Sequence, residues 1–344
     1  MYANFFIGKQ SFRFDEKQIA TPIGNQVLIR VEACGVCGTD VHIYHGEEGS
    51  AEVVPPVVLG HEFAGTVCGV GDMVCTLRNG DHVAVDPNIF CGKCTACRMG
   101  RKQLCQNLKA TGVTSDGGFA QYCLLSEEQC YRLDNNISFT LGAMAEPIAC
   151  CLHGIDRAEI KQGESVLVIG GGAIGLIMVQ LARLSGASKV VLSEPVEMRR
   201  KIGLAVGADA AIDPVSENLN DKLLEILETE GANVVIECAG NVTAASQAVA
   251  AAGYGAKILF FSVPSVNAIY ELNLFDVYKK ELAILGSFIN PDTFQRAINL
   301  INAGRIDLAP LITHTYPLKQ LEEAILMQKS DESIKVCVLP QIID

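Results

Sequence analysis

With 344 residues, 49% of them apolar and 19% charged, the chain can build two domains with sizeable cores, and disorder is excluded. A formal charge of −12 argues against a nucleic-acid surface, which needs clustered Lys and Arg. Fourteen cysteines follow a start, Met1 to Lys9, that lacks the basic flank and long apolar core of a signal peptide; a reducing compartment, by default the cytoplasm, is expected.

Before about residue 150, short strand-like runs alternate with Gly, Pro and Asp turns. In the run 27–33, Val27, Ile29, Val31 and Ala33 fall on one face, with Arg30 and Glu32 on the other. Runs 64–70 and 82–85 read similarly, so this part is expected to be an irregular, barrel-like β unit. It carries scattered metal-type ligands. Cys37 lies in Cys34-Gly-Val-Cys37-Gly-Thr39-Asp40-Val-His42, and Gly60-His61-Glu62 follows 24 residues later. Adjacent side chains on a strand point to opposite faces, so His61 and Glu62 can share one ion only on bent backbone, which Gly60 permits.

Next comes Cys91-Gly-Lys-Cys94-Thr-Ala-Cys97 with Cys105, a C-x2-C-x2-C-x7-C spacing on a lobe of about residues 88–107 that has little core of its own. Four thiols at this spacing suit a closed, structural Zn2+ site whose binding supplies folding energy to the lobe. An iron–sulfur cluster and buried structural thiols are the competing readings. The common ferredoxin run needs its fourth Cys after three residues and then Pro, whereas Cys105 follows seven and precedes Gln106. Glu146, before Pro147, is a charge in an apolar run, and a metal is a good reason to bury it. Cys37 and His61 are therefore read as ligands of a second, open Zn2+ site, with Glu62 and Glu146 competing for its third protein position.

After residue 160 the rhythm changes. Apolar strand candidates at 166–169, 189–193, 210–212, 233–237, 257–262 and 282–286 recur every 20 to 25 residues with helical stretches between several of them. That is the signature of βαβ units and a doubly wound parallel sheet of about six strands, making the whole an α/β protein. Residues 166–182 are almost wholly apolar, but glycines interrupt them, so a buried strand, turn and helix explain them better than a membrane span. The turn reads Gly170-Gly-Gly172-Ala173-Ile174-Gly175 after an apolar strand and before a helix reaching about Leu184. Gly170 permits the tight turn, Gly172 lets a pyrophosphate approach the backbone, and Gly175 allows close helix–strand packing. Glu194, 19 residues after Gly175, ends the next strand, where an acid accepts hydrogen bonds from a ribose diol and repels a 2′-phosphate. NAD is expected over NADP; Arg199 blurs that preference, and a flavin is the minor alternative. Residues 293–303 and 318–329 have helical periodicity and are expected to return to the first domain.

Taken together, these motifs resemble the zinc-dependent medium-chain dehydrogenase/reductase family over essentially the full chain. Gly117-Gly-Phe-Ala-Gln-Tyr122 and Glu146-Pro147 add to the match. The resemblance implies a GroES-like catalytic domain of residues 1–148 plus a return of 287–344, with a Rossmann domain of 149–286 between them and substrate in the cleft. It implies hydride transfer between NAD(H) and a secondary alcohol or ketone, assisted by a catalytic zinc. Thr39 would hydrogen-bond the substrate hydroxyl and His42 would pass its proton to solvent; without the resemblance these are a turn hydroxyl and a surface histidine. Glu146 stands where ordinary alcohol dehydrogenases of the family place a Cys, so the implied substrate is a polyol or sugar alcohol of the sorbitol or galactitol-phosphate kind. L-Threonine 3-dehydrogenase and butanediol dehydrogenase are the rivals, and a nucleotide-binding sensor without turnover is the non-enzyme alternative. The family also suggests a homodimer or homotetramer; charge and hydropathy give no reason to expect a nucleic-acid or membrane partner. One departure is visible: Phe261-Ser262-Val263-Pro264 stands where many members place a glycine.

Overall fold

Alternation of apolar side chains sets the first unit. The strand Gln26–Gly35 buries Val27, Ile29, Val31 and Ala33 while Arg30 stays in solvent. It pairs antiparallel with Glu62–Val70, Tyr122–Ser126 and Lys335–Leu339, which makes it the hub of a seven-stranded sheet. The computed structural model describes residues 1–47 and 51–343. The chain divides into two units, one of residues 1–149 with the segment from Asn290 onward, the other of residues 150–289.

The first unit's core gathers Ile29, Val31, Phe63, Phe119, Val336 and Val338 between its strands. Burying six such side chains contributes on the order of 10 kcal/mol of gross apolar stabilisation. Helix Leu321–Gln328 adds Leu321, Ala324 and Ile325 to the same core, so the tail is integral to this unit. Residues 318–320, expected to open that helix, instead form a separate 3-10 turn. Helix Phe294–Asn302 buries Phe294, Ala297, Ile298 and Ile301, a clean i, i+3, i+4, i+7 stripe. The small sheet of Tyr2–Gly8, Ser11–Glu16 and Val57–Val58 has no counterpart in the sequence reading.

In the second unit six parallel strands run in the order Ala210–Ile212, Lys189–Ser193, Ser165–Ile169, Ala232–Glu237, Ala252–Phe260 and Ala283–Gly286. Ser165–Ile169 is buried at every position, as a central parallel strand covered on both faces must be. The order reverses direction between Ser165–Ile169 and Ala232–Glu237, which is the switch point where open α/β sheets bind ligands beyond their carboxyl ends. Strand Ala252–Phe260 starts five residues before the expected position. The strand carries Gly253 and Gly255 ahead of its apolar run, on a register shift opposite Ala232 and Val234. Among the described residues no helix is long and apolar enough to cross a membrane.

Candidate metal centres and nucleotide turn

Cys37 sits at the N-terminus of the short helix Gly38–Tyr44. Asp40, in that helix's first turn, reaches back and accepts the Cys37 N–H at 2.9 Å through Oδ2, which fixes the Cys37 backbone. Gly60, at φ +94°, bends the chain before the strand Glu62–Val70; a side chain there would also collide with the Cys34 sulfur and Phe119. His61 therefore lies off the strand, and the alternation that would separate it from Glu62 does not apply. Ligand atoms of Cys37, His61 and Glu62 converge within 4.8 Å of one another, with His61 and Glu62 buried and Cys37 half-buried.

The surroundings complete the site. Asp40 is fully buried, and its Oδ1 lies 3.7 Å from His61 Nδ1; both atoms lack a hydrogen-bond partner. Burial disfavours a charged His61 ring, yet Asp40 and Cys37 hold its pKa well above the ordinary value, with a further push from Glu146. Glu146, buried in the first turn of Ala145–Ala158, is thus electrostatically coupled to His61 but stands outside the converging trio. A thiol, an imidazole and a carboxylate in a buried cluster are the donor types of an open Zn2+ site, so these residues fit that ion.

Sequence reasoning missed Lys335. Its Nζ forms an ion pair with Glu62 Oε2, with side chains only 4% and 2% exposed. Burial lowers the Lys335 pKa, but Glu62 and Cys37 overcome this and hold the ammonium above its usual range. Gly35 stands opposite, where any side chain would collide with the Glu62 carboxylate. Only the register of Lys335–Leu339 against Gln26–Gly35 brings this cation 273 residues along the chain to Glu62, and no local motif announces it. Thr39 is half-buried on the same helix as Asp40, and His42 Nδ1 is engaged by Glu47 Oε2.

In the lobe, ligand atoms of Cys91, Cys94, Cys97 and Cys105 also lie within 4.8 Å of one another. Their N–H and sulfur contacts interlock: Cys91 N–H points to Cys105 Sγ and Cys94 N–H to Cys91 Sγ, each at 3.4 Å. The N–H groups of Lys93 and Cys94 pull the Cys91 thiol down to about 6. Burial and the neighbouring thiols push Cys97 up to about 12. Four thiolates this close need a cation to coexist, and a closed tetrahedral Zn2+ site supplies one without an open position for chemistry.

Gly172 is the N-terminal cap of the helix Ala173–Leu184 and provides no side chain to its free N–H groups. Nothing lies within 4 Å of where a Gly172 side chain would begin, so Gly172, Ala173 and Ile174 present open backbone donors suited to phosphates. Gly175 packs against the Gly170 carbonyl with no room for a side chain. Glu194 is buried beside this turn, where Oε2 accepts Gly171 N–H at 2.5 Å and Oε1 accepts Val196 N–H at 2.8 Å. Arg200, one residue beyond Arg199, donates to the Glu194 and Pro195 carbonyls and pairs with Asp213 at 3.4 Å. The turn, the free helix end and the strand-end acid fit a dinucleotide.

The chain is similar to known proteins over most of its length. Residues 24–135 match the alcohol dehydrogenase GroES-like domain, and residues 173–303 match the zinc-binding dehydrogenase domain. Sorbitol dehydrogenase of Halalkalibacterium halodurans is 34% identical over 97% of each chain. L-Threonine 3-dehydrogenase of Symbiobacterium thermophilum is 35% identical over 95% of this chain and 94% of its own. The structure of a zinc-binding dehydrogenase from Sinorhizobium meliloti 1021, bound to NADP, matches with a TM-score of 0.94 at 38% identity over 98% of this chain and 99% of that one. The chain belongs to the zinc-dependent medium-chain dehydrogenase/reductase family. It is an oxidoreductase of the alcohol dehydrogenase type that uses zinc and a nicotinamide cofactor.

Two outcomes are expected from this geometry. Cys94→Ser should lower the zinc content by one ion per chain and reduce the melting temperature; unchanged values for both would remove the structural assignment of the lobe. Lys335→Met leaves a buried carboxylate unpaired, so the metal-free protein should lose about 3–5 kcal/mol of stability. Zinc should restore part of that loss, because the ion can take the carboxylate in place of the lysine. Equal denaturant midpoints for wild type and variant, both metal-free, would contradict the role given to the pair.

Proposed function

We propose that this chain is an NAD(H)-dependent polyol dehydrogenase that oxidises a secondary hydroxyl of a polyol or sugar alcohol to a ketone. The observation that carries the reading is the donor set. One thiol and one imidazole are accompanied by two buried carboxylates, Glu62 and Glu146, where the family's ordinary alcohol dehydrogenases use a second thiol. The full-length similarity to a sorbitol dehydrogenase supports it.

When bound, Zn2+ at this site acts as a Lewis acid that lowers the pKa of a coordinated hydroxyl. Cys37 and His61 would hold the ion, with Glu62 as third protein ligand and Glu146 supporting the shell; Asp40 orients the His61 ring. Thr39 accepts a hydrogen bond from the substrate hydroxyl, and His42 hands the released proton on through Glu47 to solvent. The glycine turn binds the pyrophosphate, and the Glu194 carboxylate favours a ribose diol over a 2′-phosphate. The NADP-bound relative makes the two cofactors a direct comparison rather than a foregone one.

L-Threonine 3-dehydrogenase is the second reading, supported by a relative of equal similarity. A panel of polyols, butanediol and L-threonine, run with NAD and with NADP, separates the two by NADH or NADPH absorbance. Sorbitol-type polyols with NAD are expected to give the highest kcat/KM. Highest kcat/KM on L-threonine selects the second reading, and no turnover on any alcohol favours a binding protein. Cys37→Ser should remove activity and one zinc while leaving the melting temperature nearly unchanged.

A homodimer or larger homo-oligomer is also proposed. The edge strand Ala283–Gly286 has a free side, and Val266, Ile269, Leu274, Phe275 and Tyr278 are all more than 60% exposed in the preceding segment. A free strand edge beside exposed apolar side chains invites a second copy. Sedimentation should report at least twice the 36.8 kDa chain mass, and a monomer at micromolar concentration would refute it.

A further inference from the structure

Ser262 lies in the segment Phe261-Ser262-Val263-Pro264, which stands where many family members place a glycine. Strand Ala232–Glu237 ends in a carboxylate that is only 2% exposed. Glu237 Oε1 accepts the N–H groups of Ala239 and Gly240, both at 2.7 Å, and Oε2 accepts the Ser262 hydroxyl. The backbone repeats the connection, since the N–H groups of Phe261 and Ser262 donate to the Glu237 carbonyl at 3.0 and 3.2 Å. One buried anion thus ties the turn after Ala232–Glu237 to the loop after Ala252–Phe260.

The tie reaches the cofactor turn. Gly170 packs so closely on Cys238 and Ala239 that an added side-chain carbon would meet them at 3.0–3.2 Å. Gly240 in turn faces Ser262 Cβ and the Val263 carbonyl, each 3.5 Å from where its own side chain would begin. The Phe261 ring lies over Gly154, where an added side-chain carbon would meet it at 2.8 Å. The glycine turn, residues 238–240 and residues 261–264 therefore form one continuous rim along the carboxyl ends of three neighbouring strands, starting at the switch point. A dinucleotide bound by the glycine turn extends along that rim, and its phosphates are anionic. The Glu237 charge is compatible with such a ligand because three donors compensate it. Without the Ser262 hydroxyl, Oε2 loses its donor, the buried charge is undercompensated, and the loop is free to drift.

We propose that Ser262 and Glu237 are positioning residues for the nicotinamide cofactor: the serine hydroxyl latches the 261–264 loop onto the buried carboxylate and presets the rim for binding. This rests on the reading of the glycine turn as a dinucleotide site. The test is the dissociation constant of NADH and NADPH, from nicotinamide fluorescence on the zinc-loaded full chain, for wild type, Ser262→Gly, Ser262→Ala and Ser262→Thr. Glycine and alanine should weaken binding of the preferred cofactor roughly tenfold, the size of one lost charge-assisted hydrogen bond, while threonine keeps it close to wild type. Amide exchange at Ala239 and Gly240 should speed up in the cofactor-free glycine and alanine variants and not in the threonine variant. Unchanged dissociation constants in both, or a lowered melting temperature with binding intact, overturn the proposal and leave Ser262 merely structural. Should Ser262→Gly fail to fold, Ser262→Ala decides. Wild-type protein that binds neither NADH nor NADPH overturns the cofactor reading itself, and the latch with it.

Discussion

A buried ion pair organises the first unit around its metal centre. Glu62 and Lys335 meet almost fully out of water, on two strands that share the partner Gln26–Gly35. Such a pair adds little net stability over apolar residues of similar size, but removing one partner strands a charge and costs several kcal/mol. Its value here is positional. It ties the last strand to the strand Glu62–Val70 and holds a carboxylate beside Cys37 and His61. Cys37 contributes to the high pKa of the same lysine, so ligand, carboxylate and ammonium form a single electrostatic unit.

The two metal centres divide the labour by their donors. In the lobe, four soft thiols surround one point and leave no position open, so an ion there can only hold the lobe together. At the other centre the donors are mixed, the Asp40 carboxylate lies 3.7 Å from the His61 ring, and Glu146 is close enough to be felt without joining the trio. A mixed set of three donors of this kind leaves a coordination position unfilled by protein. The second unit carries a helix end without a side-chain cap and a buried carboxylate on either side of the switch point: Glu194 just after the strand Lys189–Ser193, and Glu237 at the end of Ala232–Glu237.

Much of this was legible along the chain because the signals are local. The strand–glycine–helix passage from Val166 to Leu184 shows in sequence since burial on both faces demands unbroken apolar runs and the turn demands glycine. The thiol lobe shows because all four ligands fall within fifteen residues. Gly253 and Gly255 add no apolar side chain, so the strand that carries them begins earlier than its apolar run suggests. The N-terminal hairpin escaped notice because Ser11–Glu16 is half charged and only partly buried, with no clean alternation to read.

The sequence by itself determined the fold class and the family, and it picked out the lobe's four thiols, Cys37, His61 and the glycine turn while leaving Glu62 and Glu146 as competitors, because these signals depend on residues close together in the chain or on a periodicity any short window reveals. The tertiary structure decided how those residues are used. It bent His61 off the strand so that it could join Glu62, brought Lys335 to that carboxylate, kept Glu146 just outside the trio, and gave Ser262 its anionic partner. The last three depend on strand register or turn stacking between segments 25 to 273 residues apart, and such pairings leave no mark on either segment alone.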